Sequence, residues 1–111
     1  MSQVIDLDRA LGDTWSPDPR TRIRALHDLC PCQLKANYPD IWDRLLEMVS
    51  DEDAKVRGHV LHVLGDGSPR HREAEVVRAV ERMWDDPDPG LRRRVRKLLS
   101  HYRRTGKINI L

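Results

Sequence analysis

The chain has no phenylalanine, only three tryptophans and two tyrosines, two cysteines, and no aspartate or glutamate from Pro89 to Leu111. Each shortage excludes something. With so few aromatics the core must be built from Leu, Val, Ile and Met, and the interleaved aromatic platform that stacks single-stranded nucleic acid is missing. Cys30 and Cys32, separated by one residue, are too few and too close to make a disulfide framework. No apolar run approaches the length of a membrane span. The segment Met1 to Asp6 has neither the basic nor the apolar region of a secretory signal, so a cytoplasmic protein is expected. A Gly-rich phosphate loop, a Gly-x-Ser-x-Gly elbow and a His-Glu-x-x-His pair are all lacking. The carboxylates fall at helix starts and on polar faces, and neither enzymatic activity nor a cofactor is expected.

What the chain does have is a period of 35 residues. Asp18-Pro19-Arg20-Thr21-Arg22 aligns with Asp53-Ala54-Lys55-Val56-Arg57 and with Asp88-Pro89-Gly90-Leu91-Arg92. The register holds downstream through Ala25/Val60/Val95 and Leu29/Leu64/Leu99, and upstream through Ile41/Val76, Leu45/Val80 and Met48/Met83. A period of this length is that of stacked two-helix units, each burying its apolar face against its neighbours. Six helices are expected: about 2–12, 19–29, 39–50, 54–64, 69–85 and 89–105. Asp18, Asp53 and Asp88 are N-caps, and Pro19 and Pro89 suit the first helical position. Gly65 and Gly67 are the expected terminators of the fourth helix. The fold class is therefore all-α, an α-solenoid of three antiparallel helix pairs in one domain spanning 1–111, with repeats about 2–30, 37–65 and 68–104 and a tail at 105–111.

The pattern Asp-x-x-Val-Arg, followed by apolar residues three, four, seven and eight positions on, resembles the HEAT repeat in the style of short bacterial HEAT proteins. The resemblance covers nearly the whole chain. It implies a scaffold or protein-interaction module whose Asp18, Asp53 and Asp88 sit in the turns inside each repeat. It also implies that Arg22, Arg57 and Arg92 tie neighbouring repeats together through hydrogen bonds to such turns. Thr21 departs from the pattern, where an aliphatic residue is usual.

Charge singles out the last helix. Pro89 to Leu111 carries eight basic residues, while the other 88 residues hold 12 basic and 18 acidic ones. A terminal repeat needs a polar outer face, but it does not need one sign of charge. The helices at 19–29, 54–64 and 89–105 are expected to line the inner face, with Ile23, His27, Gly58, His62, Arg93 and Lys97 upon it. The candidate partner-binding residues are Arg93, Arg96, Lys97, Arg103, Arg104, His62 and His27. The expected partner is a protein with an acidic surface. Nucleic acid contacted through phosphates is the alternative, and self-association would reinforce so short an array.

Two smaller groups have plainer readings. His27, Cys30, Cys32 and one of His62 or His59 would be the ligands if zinc bound, but Cys-x-Cys is not the usual knuckle spacing. Packing cysteine and surface histidines account for them, so no metal is assigned. Trp42 and Trp84 fall on apolar stripes and are expected in the core, with Trp15 closing the N-terminal end of the stack. The tail Lys107-Ile108-Asn109-Ile110-Leu111 is expected to fold back over the final repeat.

Overall fold

The computed structural model describes residues 6–30 and 38–108. Four of the helix starts, those of the helices beginning at Leu7, Pro19, Ala54 and Pro89, have an aspartate oxygen accepting from first-turn amides. Helix α1 spans Leu7–Asp13, α2 Pro19–Leu29, α3 Pro39–Glu47, α4 Ala54–Gly67, α5 Glu73–Glu81 and α6 Pro89–Thr105. No strand occurs among the described residues. The Asp18, Asp53 and Asp88 carboxylates accept from the amides of Arg20 (2.9 Å), Lys55 (2.8 Å) and Leu91 (2.9 Å). At the far end Gly106 adopts φ 72°, the left-handed conformation that stops α6.

Four helix boundaries differ from expectation. The first helix begins at Leu7, because Asp6 is its cap and accepts from the Arg9 amide; the expected stretch before it lies outside the described residues. The third ends in a tighter 3-10 turn at Met48–Ser50. The fourth runs through both glycines and stops at Ser68, which Pro69 forces into extended backbone. Gly65 faces α6, and a Cβ on it would stand 3.4 Å from a Leu98 methyl, at the edge of ordinary contact. The fifth is shorter than expected, a 3-10 turn at Arg70–Arg72 preceding α5 and turns following it.

Helices α2, α4 and α6 lie side by side, and α3 and α5 pack as the other layer, with α1 against α2. The shared core is Leu26, Leu29, Leu45, Val56, Val60, Leu64, Val76, Val80, Val95 and Leu99, all essentially buried. Ile108 joins it, fully buried, and its amide donates to Glu73 Oε2 at 3.2 Å, so the start of the tail does fold back. Trp42 is in the core, whereas Trp84 is not: it is 36% exposed, its ring covered by Arg96 and Arg103. Trp15 is 63% exposed, with the Arg44 guanidinium stacked on it. Both sites are amphipathic rings at the ends of turns, where a cation replaces the missing apolar neighbour.

A polar ladder links the repeats, one turn to the next. Two residues before each N-cap, Ser16, Asp51 and Asp86 accept from the amides of Asp18, Asp53 and Asp88 at 3.1, 2.9 and 2.9 Å. Six residues after each of these, Arg22, Arg57 and Arg92 donate Nη1 back to the same residues' carbonyls at 2.8, 2.9 and 2.7 Å. The remaining guanidinium edge reaches the following repeat. Arg57 grips Asp86 with two bonds of 2.7 and 2.9 Å. Arg22 donates Nη2 to Asp51 at 3.1 Å, while its Nε stands 3.0 Å from the other oxygen without alignment for a hydrogen bond. The recipients are thus Asp51 and Asp86, not the capping aspartates, which leaves the caps to the helices. The Arg57 hydrogen bonds hold the Asp86 carboxyl below the usual range despite its burial.

Candidate partner-binding groove

A groove of ≈ 890 Å³ crosses the layer formed by α2, α4 and α6. It exists because equivalent positions of three repeats point the same way. His27, His62 and Lys97 form one column, and Gly58 and Arg93 belong to the next. These five are the inner-face residues expected from the sequence; Ile23 is half-buried against the core instead. Gly58 matters by its smallness. A Cβ there would lie 3.3 Å from Arg94 Nη1, and the bare backbone lets that guanidinium cross α4 and donate to the Gly58 carbonyl at 3.4 Å.

The lining is strongly one-signed. Lys55, Arg93, Arg94 and Lys97 surround His27, His59 and His62, against a single carboxylate, Asp88. That carboxylate is already committed to capping α6. His59 records the local field: partial burial, then the proximity of His62, Arg94 and His27, push its pKa below the ordinary 6.5. A neighbouring cleft of ≈ 450 Å³ shares His62, Arg94 and Lys97 and adds His101, Arg104 and Asp66.

The structure divides the basic residues singled out in the sequence. Arg93, Lys97 and Arg104 line the groove or its neighbouring cleft together with His27 and His62. Arg96 and Arg103 face elsewhere, over the Trp84 ring. Arg96 is also tied to the Trp84 carbonyl at 3.1 Å and to Asp85 at 3.1 Å. The partner-binding residues expected from the sequence did not include Lys55, His59, Arg94 or His101. For two of these the period carries the signal, since Arg24, His59 and Arg94 are one column of the alignment.

Of the four candidate zinc ligands, Cys30 and His62 come together and Asp66 joins them, a donor atom of each lying within 4.8 Å of the others. His27 is outside that cluster, and Cys32 lies outside the described residues. No helix among the described residues is long and apolar enough to cross a membrane.

A family model described as HEAT repeats matches residues 9–100. No curated protein and no solved structure matches the chain at a significant level.

Proposed function

Because the chain belongs to the HEAT-repeat family, a non-catalytic repeat class that generally mediates protein–protein interactions, we propose that it binds an acidic segment of another protein in the groove across α2, α4 and α6. The observation that carries the reading is the groove's charge: four Lys and Arg side chains and three histidines around one carboxylate that is spent on a helix cap. Such a wall steers an anionic partner and suppresses cationic ones. A protein is favoured over single-stranded nucleic acid because no Phe, Tyr or Trp lines the groove among the described residues, so the large stacking platforms that bases use are missing. Arg93, Lys97, His27 and His62, with Arg94 and Lys55, are the contact residues in this reading. Arg96 and Arg103 contribute field and solubility from the far side of α6.

The test is fluorescence anisotropy with a labelled Glu/Asp-rich peptide, and with duplex DNA and RNA of matched charge, at about 50–300 mM salt. The peptide is expected to bind, and Arg93→Glu with Lys97→Glu is expected to abolish binding while helical circular dichroism is kept. Peptide binding that survives this reversal would remove the groove from the interface. Tighter binding of duplex DNA, with a log–log salt slope near −5 for about six phosphate contacts, would assign the basic wall to nucleic acid.

A further inference from the structure

We propose that Cys30, His62 and Asp66 form a binding site for a thiophilic divalent cation of the zinc class. Cys30 ends α2, its amide donating to the His27 carbonyl at 3.4 Å, and its side chain is turned into the protein. Helix α4, packed beside it, presents His62 and Asp66 one turn apart on the same face. The Cys30 thiol donates to Asp66 Oδ2 at 3.3 Å. Two donors bonded to tetrahedral zinc at about 2.3 and 2.0 Å stand about 3.5 Å from each other, so thiol and carboxylate already hold a ligand-pair spacing. His62 is exposed, and a ring nitrogen of it lies within 4.8 Å of both the thiol and the carboxylate.

The surroundings favour this use of the three residues over a plain hydrogen bond. Arg94, Lys97 and Arg104 line the same cleft as Asp66, yet among the described residues the carboxylate makes no ion pair with any of them and turns to the thiol. The donor set is one sulfur, one nitrogen and one oxygen, which suits zinc and excludes magnesium and calcium, whose ligands are oxygens. On binding, the metal displaces the thiol proton to solvent. Thiolate and carboxylate then balance the two positive charges, and the neutral complex meets no net repulsion from the arginines. Three protein ligands leave a fourth position for water, open to the cleft.

The test uses the full chain, reduced and stripped with chelator, titrated with Co²⁺ and followed by absorption. One equivalent is expected to give a thiolate-to-cobalt charge-transfer band and the visible bands of four-coordinate cobalt, both bleached by zinc. His62→Ala and Asp66→Asn are each expected to weaken cobalt binding by about tenfold or more. Cys30→Ser is expected to abolish the charge-transfer band, while His27→Ala and Cys32→Ser leave it intact. Absence of the band at saturating cobalt, its survival in Cys30→Ser, its loss in Cys32→Ser, or unchanged affinity in His62→Ala would overturn the site. Cys30 is buried; where Cys30→Ser loses helical structure, the His62 and Asp66 variants decide alone.

Discussion

Arg57→Ala is expected to destabilise the protein far more than the same change at its repeat equivalent Arg92, although the two occupy identical places in the sequence pattern. Arg57 meets Asp86 with two short bonds of 2.7 and 2.9 Å, and the pair's side chains are 11% and 4% exposed. Removing the guanidinium leaves the Asp86 carboxylate buried with the Asp88 amide and the field of Arg92 but no paired charge. Breaking a buried pair from one side costs about 3–5 kcal/mol. Arg92 makes one bond to the Asp86 carbonyl at 2.7 Å, and its loss costs about 1–2 kcal/mol. With a urea m-value of ~1.5 kcal/mol/M, the difference separates the two unfolding midpoints by about 1–2 M. Urea denaturation followed by circular dichroism reads this directly. A double-mutant cycle of Arg57→Met and Asp86→Asn is expected to show a coupling of at least about 1.5 kcal/mol. Equal midpoints for the two arginine variants, or a coupling near zero, would refute the claim that this pair fastens repeat two to repeat three.

Two further outcomes are expected. His59 has its pKa depressed in the free groove, so it is neutral at neutral pH; a bound carboxylate favours its charged form, and the complex takes up protons. Peptide affinity should therefore rise between about pH 8 and pH 6, where glutamates stay ionised, and His59→Gln should reduce that rise. Weaker binding at pH 6 than at pH 8 would contradict it. Folding stability responds in the opposite sense, being fully present above the ordinary histidine value and declining as pH falls through the depressed one. Ile108→Ala, at a fully buried position, should lower unfolding stability by about 2–5 kcal/mol, whereas a loosely attached tail would give no change in the urea midpoint.

Much of the architecture is legible in the sequence because it repeats: a column such as Val56 and Leu91, or Ala25, Val60 and Val95, is averaged over three copies of the same environment. Helix starts are equally legible, since Asp18, Asp53 and Asp88 act through local hydrogen bonds. The errors lie where tertiary contact overrides local preference. Gly65 reads as a stop, but α4 continues through it until Ser68-Pro69; Trp84 reads as core from its phase, but it sits past the end of α5 in a turn. The ladder acceptors Asp51 and Asp86 were hidden beside better-known capping positions. In the groove, the charge of α6 was visible, yet its division between two faces was not. Arg96 and Arg103 share a helix with Arg93 and Lys97 but stand at another phase of it, and the Trp84 ring lies on their side.

The column His27, His62 and Lys97 has one member on each of three neighbouring helices, which makes it a ruler. Neighbouring helix axes lie about 8–10 Å apart, and a peptide in the polyproline II conformation advances ~3.1 Å per residue with about three residues per turn, so one laid across the groove turns the same face to a column member every third residue. The first two marks are imidazoles, and the last is an ammonium on a long flexible stem. An acidic ligand with carboxylates at every third place would thus find a rising scale of attraction toward α6. It would settle with a defined polarity.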